Sequence, residues 1–139
     1  MGYLQPQDAE ELQRMFGALK QPVDLHLYSD EPELAALMGE VAKAGGALIR
    51  VHPIAEADAP RARALGIDRA PAMALTSPSA RGRLLFYGHP LGYEMSALVM
   101  AILDLGGTTP DSALVGGDTR RGLEALAEDT FIQVFTTPG

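Results

Sequence analysis

Hydrophobic positions in this chain follow two periods, one near three to four residues and one of two, and the switches between them mark the elements. Leu12, Phe16 and Leu19 recur at helical spacing and predict a helix over residues 7–20, stopped by Pro22. Val23-Asp24-Leu25-His26-Leu27-Tyr28 then alternates as a strand does. Asp30-Glu31-Pro32-Glu33 reads as a helix start, with Asp30 as the cap and Glu33 in the capping-box position. The helix behind it puts Leu34, Leu37, Met38, Val41 and Ala42 on one face and ends at Gly45-Gly46. Residues 47–52 predict a second strand, and residues 55–65 a shorter, polar-rich helix closed by Gly66. Pro71 precedes a third strand over 72–76, and the turn through Ser77-Pro78-Ser79 and Gly82 returns it as a fourth over 83–87. A strong helix over 91–105 carries Leu91, Met95, Leu98, Val99, Ile102 and Leu105 as its stripe, and Gly106-Gly107 ends it.

Helices and strands that alternate in this order predict an α/β fold, a mixed central sheet with helices on both faces. The first two strands need a crossover helix and so run parallel, whereas the third and fourth form an antiparallel hairpin. This unit is complete over residues 1–107. The remaining residues, 108–139, look like a second beginning. A displacement of 107 positions pairs residues 12–29 with 119–136, where Arg14, Ala18 and Leu19 meet the identical Arg121, Ala125 and Leu126. Phe16 meets Leu123, and the strand residues 25–29 meet Ile132-Gln133-Val134-Phe135-Thr136. We therefore expect a linker, then the first helix and strand of a second unit of the same kind, with the chain breaking off before the next helix. The alternative is a complete protein whose last strand joins its own sheet or that of a second copy.

Composition narrows the chemistry. The chain has 139 residues, 47% of them hydrophobic, with a net charge of −7 and its 11 basic residues scattered, which makes nucleic acid and anionic membranes poor partners. Met1 is not followed by a cationic, apolar stretch, and the apolar segment 95–105 is too short to span a bilayer, so a cytoplasmic location is expected. There is no cysteine, which excludes disulfides, thiolate metal sites and any electron transfer through a thiol of this chain. His26, His52 and His89 lack metal-ligand spacing and read as solvated, so neither a metal nor a cofactor is expected.

Three stretches resemble one family. Tyr28-Ser29-Asp30-Glu31-Pro32-Glu33-Leu34, Gly66-Ile67-Asp68-Arg69-Ala70-Pro71-Ala72 and, most specifically, Tyr87-Gly88-His89-Pro90-Leu91-Gly92-Tyr93-Glu94 look like the first half of a tandem glutaredoxin-like protein disulfide oxidoreductase. They are similar also to the N-terminal domain of the alkyl hydroperoxide reductase flavoprotein subunit. The resemblance implies a thioredoxin-like fold and a second such fold as partner, carrying a working Cys-x-x-Cys after a strand like residues 131–138. In the first fold the equivalent slot reads Glu31-Pro32-Glu33-Leu34, so any redox centre there is lost.

The resemblance also implies a cis peptide before Pro71, with Ala70 presenting its backbone to an extended substrate peptide. Without a thiol beside them, Ala70 and Pro71 read as architectural sooner than as peptide-binding. Glu31 and Glu33 are expected to serve as acids at a helix start. Glu94 lies on the edge of the apolar stripe, where loss of water favours the protonated carboxyl, a suitable proton relay for thiol exchange. By resemblance it would face the dithiol of the second fold; the plainer reading is an acid favoured in the first turn of a helix. The expected function is therefore the redox-silent half of a disulfide oxidoreductase or peroxide-reducing system, inactive alone. The rival is a cysteine-free module that binds peptides or assembles with itself. Without its second fold the chain should expose apolar surface and form a homodimer.

Overall fold

Four strands form one sheet in the order β2-β1-β3-β4. The computed structural model describes residues 2–108 and 116–136. The elements are α1 (Pro6–Phe16), β1 (Val23–Tyr28), α2 (Pro32–Ala44), β2 (Ile49–Ile54), α3 (Ala59–Ala64), β3 (Ala72–Thr76), β4 (Leu84–Tyr87), α4 (Tyr93–Leu105) and α5 (Gly117–Glu124), with a 3-10 turn at Gly46–Leu48. β1 pairs with β2 in parallel and with β3 antiparallel, and β3 pairs with β4 antiparallel. The expected α/β architecture and both expected strand relations are thus present.

The two-residue period decides which side chain goes to which face. Val23, Leu25 and Leu27 of β1 and Met73 and Leu75 of β3 meet Leu12 and Phe16 of α1, Leu34, Met38 and Val41 of α2, and Leu98, Val99 and Ile102 of α4. The alternate positions Tyr28, Ile54, Ala72 and Ala74 form a second, smaller cluster with Ala62 of α3 and Ile67. Three helices therefore cover one face of the sheet and the short α3 covers part of the other. Each buried Leu, Ile or Met of this kind contributes about 1.5–3 kcal/mol of transfer free energy.

Several boundaries differ from those expected, for identifiable reasons. α1 ends at Phe16, not at residue 20, because Leu19 leaves the helix to enter the main core and Lys20 N–H donates to Gly106 O at 2.9 Å. β2 starts two residues late, since Gly46 takes φ 61° and the chain makes a 3-10 turn before it extends. α3 covers only 59–64 of the expected 55–65, starting behind Asp58 with Pro60 in its first turn. Leu91 is 68% exposed and lies outside α4, which begins at Tyr93, so it does not belong to that helix's buried stripe.

The second unit is the largest departure. Its helix forms as α5, with every residue exposed. The expected strand over 132–136 pairs with none of the described strands, and Phe131, Ile132, Val134 and Phe135 are all more than 70% exposed. An isolated strand has no neighbour to take its backbone hydrogen bonds, so the pattern alone does not make one. Most of the expected linker and residues 137–139 lie outside the described residues.

Candidate functional site

The carboxyl end of β1, the start of β3 and the end of β4 meet at one end of the sheet. Tyr28 pairs with Ala72, Ala72 with Tyr87, and Gly88 N–H donates to Pro71 O at 2.9 Å. Three loops therefore converge there. The first leads from β1 into α2. Ser29 Oγ accepts the Glu31 N–H at 3.0 Å, Asp30 Oδ1 accepts the Glu56 N–H at 3.0 Å, and Glu56 Oε1 accepts the Asp30 N–H at 3.2 Å. Asp30 is thus spent on the neighbouring loop and is not the helix cap. The cap position is Glu31, whose side chain makes no capping bond.

The second loop carries Ala70 and Pro71, and the peptide between them is cis. Tyr87 fixes the approach to it. Its hydroxyl donates to Gly66 O at 3.4 Å and accepts from Asp68 N–H at 3.3 Å, and the Arg69 guanidinium stacks 4.0 Å above its ring. Among the described residues the Ala70 N–H and C=O have no hydrogen-bond partner. Such an unpaired donor and acceptor at a strand start can pair with one residue of an extended peptide.

The third loop is the turn from β4 to α4. Gly88 and Gly92 take φ 86° and 60°, left-handed values that glycine alone adopts freely, and they fold the turn back towards α2. The turn then holds His89 Nε2 2.6 Å from Glu31 Oε2. Below this pair lies a cavity of 170 Å³ lined by Tyr3, Glu33, Leu34, Leu37, Pro90 and Leu91 as well as the pair itself. Of the slot Glu31-Pro32-Glu33-Leu34, Leu34 is core, Glu33 reaches the cavity, and Glu31 is bound across to His89.

Glu94 stands apart from that cluster. It occupies the first turn of α4, half-buried, and does not line the cavity. Its Oε1 accepts a hydrogen bond from Thr136 Oγ1 at 3.1 Å, which brings the end of the second, strand-like segment to the start of α4.

The histidines depart from expectation. None is simply solvated: His26 bonds to Thr76, His52 to Asp24 and His89 to Glu31. Spacing along the chain could not reveal these partners, because each is brought in by a different loop or strand. No group of three or more His, Asp or Glu side chains among the described residues is arranged to hold a metal ion. Nor is any helix of the described residues long and apolar enough to cross a membrane.

This sheet order, with α2 and α4 on one face, α3 on the other and a cis-proline at the start of β3, defines a thioredoxin-like fold. Solved structures agree. The chain superposes on a protein disulfide oxidoreductase from Aeropyrum pernix K1 with a TM-score of 0.71 and 22% identity, over 88% of this chain and 55% of that one. It matches the N-terminal domain of alkylhydroperoxide reductase AhpF from Enterococcus faecalis with a TM-score of 0.71 and 19% identity, over 91% of this chain and 62% of that one. The AhpF subunit from the same organism gives 0.70 and 21%, over 89% and 61%. The chain therefore spans between half and two thirds of these structures. No family model matches it, and neither does any curated protein.

Proposed function

We propose that this chain is the redox-silent thioredoxin-like fold of a tandem thiol-disulfide oxidoreductase or peroxide-reducing system. The observation that carries the reading is the contact between Thr136 and Glu94. Thr136 is the counterpart of Ser29 in the internal repeat, and Ser29 lies two residues before the slot of the first fold. A second slot in the same position would open beside Glu94. There a carboxylate can take the proton of a resolving thiol and return it as exchange proceeds, while the attacking thiolate forms the mixed disulfide. The fold itself contributes the wall and the proton acceptor; it contributes no electrons, since it has no thiol.

The test uses both lengths of chain. Residues 1–139 alone should show no insulin reduction above the uncatalysed rate. A longer chain bearing Cys-x-x-Cys in the second fold should reduce disulfides. In it Glu94→Gln should slow turnover by about 100-fold or more, the contribution of a positioned proton acceptor, and should flatten its pH profile. Unchanged rate and profile would remove Glu94 from the mechanism.

A second reading, a cysteine-free module that binds extended peptides, is favoured by the unpaired Ala70 backbone beside the cis peptide to Pro71. A library of extended peptides titrated into residues 1–139 should then shift the amide resonances of Ala70 and Ala72. A lack of any shift at millimolar peptide rejects that reading.

A further inference from the structure

The part of the sheet that α3 leaves open is polar, and its side chains form one connected chain of contacts. The parallel register sets Asp24 beside Arg50 and His26 beside His52; the antiparallel register sets Thr76 beside Asp24. Arg50 donates through Nε and Nη2 to the two oxygens of Asp24, each at 2.8 Å. His52 Nε2 lies 2.7 Å from Asp24 Oδ1. The His26 ring stacks on that of His52, with centroids 4.9 Å apart and planes 22° apart, and its Nε2 lies 3.2 Å from Thr76 Oγ1. Arg50, Asp24, His52, His26 and Thr76 thus tie β2, β1 and β3 together in sequence.

The charges facing His26 are unequal. β2 presents Arg50 and His52, α3 presents Arg61, and β1 itself presents Asp24, the single acid of the cluster, which is already engaged by Arg50 and His52. Thr76, from β3, carries no charge. A proton on His26 has no free carboxylate of this cluster to meet.

We propose that His26 is an acid-sensitive latch on this face: neutral, it stacks on His52 and binds Thr76; protonated, it sets a positive charge against His52 and Arg61 and loosens β1 from β2. Burial first, then the charges of His52 and Arg61, holds the His26 imidazole below its usual range against the pull of Asp24. The unfolded chain therefore takes up this proton more readily than the folded one. Stability falls as the pH drops below the ordinary imidazole value of 6.5, and the loss is complete once the folded ring is also protonated. Asp24 stays ionised through that window: burial would raise its carboxyl, but the hydrogen bonds from Arg50 and His52 outweigh it and hold it below the usual carboxylate range. Because β1 runs directly into Ser29 and Glu31, loosening it disturbs the slot and the Glu31–His89 pair.

Urea unfolding of the 139-residue chain at pH 7.5 and pH 5.5, wild type against His26→Gln, tests the latch. The wild-type unfolding constant should rise about threefold or more beyond any rise in the variant. The His26 ring, followed by NMR in the folded wild type, should titrate below 6.5. If the variant keeps the whole pH dependence, or the ring titrates at or above that value, the latch does not exist. Should His26→Gln fail to fold, the ring titration alone decides.

Discussion

Residues 12–29 and 119–136 carry the same order of a helix pattern and then a strand pattern, and the apolar positions they share have different fates. Phe16 is 2% exposed in the main core, whereas its counterpart Leu123 is 55% exposed on α5. Leu27 is 1% exposed between β2 and β3, whereas Val134 is 80% exposed and pairs with nothing described. The difference lies in what surrounds each segment. α1 packs on α2 and α4, and β1 is the inner strand of a three-strand ladder. An apolar period therefore selects which face of a segment will be buried; burial itself needs a partner surface, and a short helix or single strand has little stability without one.

The widest gap between the two segments should appear on truncation. Phe16→Ala removes a buried ring and should cost about 3–5 kcal/mol in urea denaturation. Leu123→Ala removes a side chain from open water and should stay within about 0.5 kcal/mol. Equal losses at both sites would mean that the second segment is buried too, and the contrast would vanish. A smaller gap separates Tyr28 from its counterpart Phe135. The Tyr28 hydroxyl donates to Glu56 O at 3.0 Å, so Tyr28→Phe should lose about 1 kcal/mol. Phe135→Tyr should change nothing measurable, because its ring is 86% exposed and an added hydroxyl there stays in water.

These contrasts also mark how far the sequence could be read. The strand alternation of 23–28 and 72–76, the amphipathic stripe of α2 and the position of Pro71 are properties of consecutive residues, and they were legible. The slot without cysteine was equally plain. What stayed hidden needed contacts across the fold. Glu31 and His89 are 58 positions apart and meet only because Gly88 and Gly92 turn the chain back. Asp30 looks like a cap in sequence but is claimed by Glu56, 26 positions away. The Asp24, His26 and His52 cluster depends on register, which periodicity alone does not fix across a parallel crossover. The strand expected over 132–136 does not form for the opposite reason: its local pattern is sound, but no strand among the described residues pairs with it.

The same contrast holds for how the two outlying segments are attached. Near the start of the chain, the Tyr3 and Leu4 N–H groups each donate at 2.8 Å to the carboxylate of Glu40. The Leu4 and Tyr3 hydrogen bonds, in that order, hold that carboxyl below its usual range. The attachment is therefore present above the ordinary value of 4.5 and lost as the pH falls through the lower folded value. The amide protons of Tyr3 and Leu4 should move upfield over that acid range, and in Glu40→Gln they should already sit upfield at pH 7. A variant with unchanged amide shifts would show that the carboxylate does not hold this segment.

At the other end Thr136 donates a hydrogen bond to Glu94, one exposed and one half-exposed group. Water competes for both partners, so Thr136→Ala should alter the stability of the 139-residue chain by no more than about 0.5 kcal/mol. The value of so small an effect is its asymmetry. A null result leaves the 119–136 segment as an element awaiting a surface, the state in which a second fold could organise it beside Glu94. A loss of about 1 kcal/mol or more would mean that the segment already draws stability from the first fold, and then its exposed apolar residues, not the hydrogen bond, would have to be repacked on α4 to account for it.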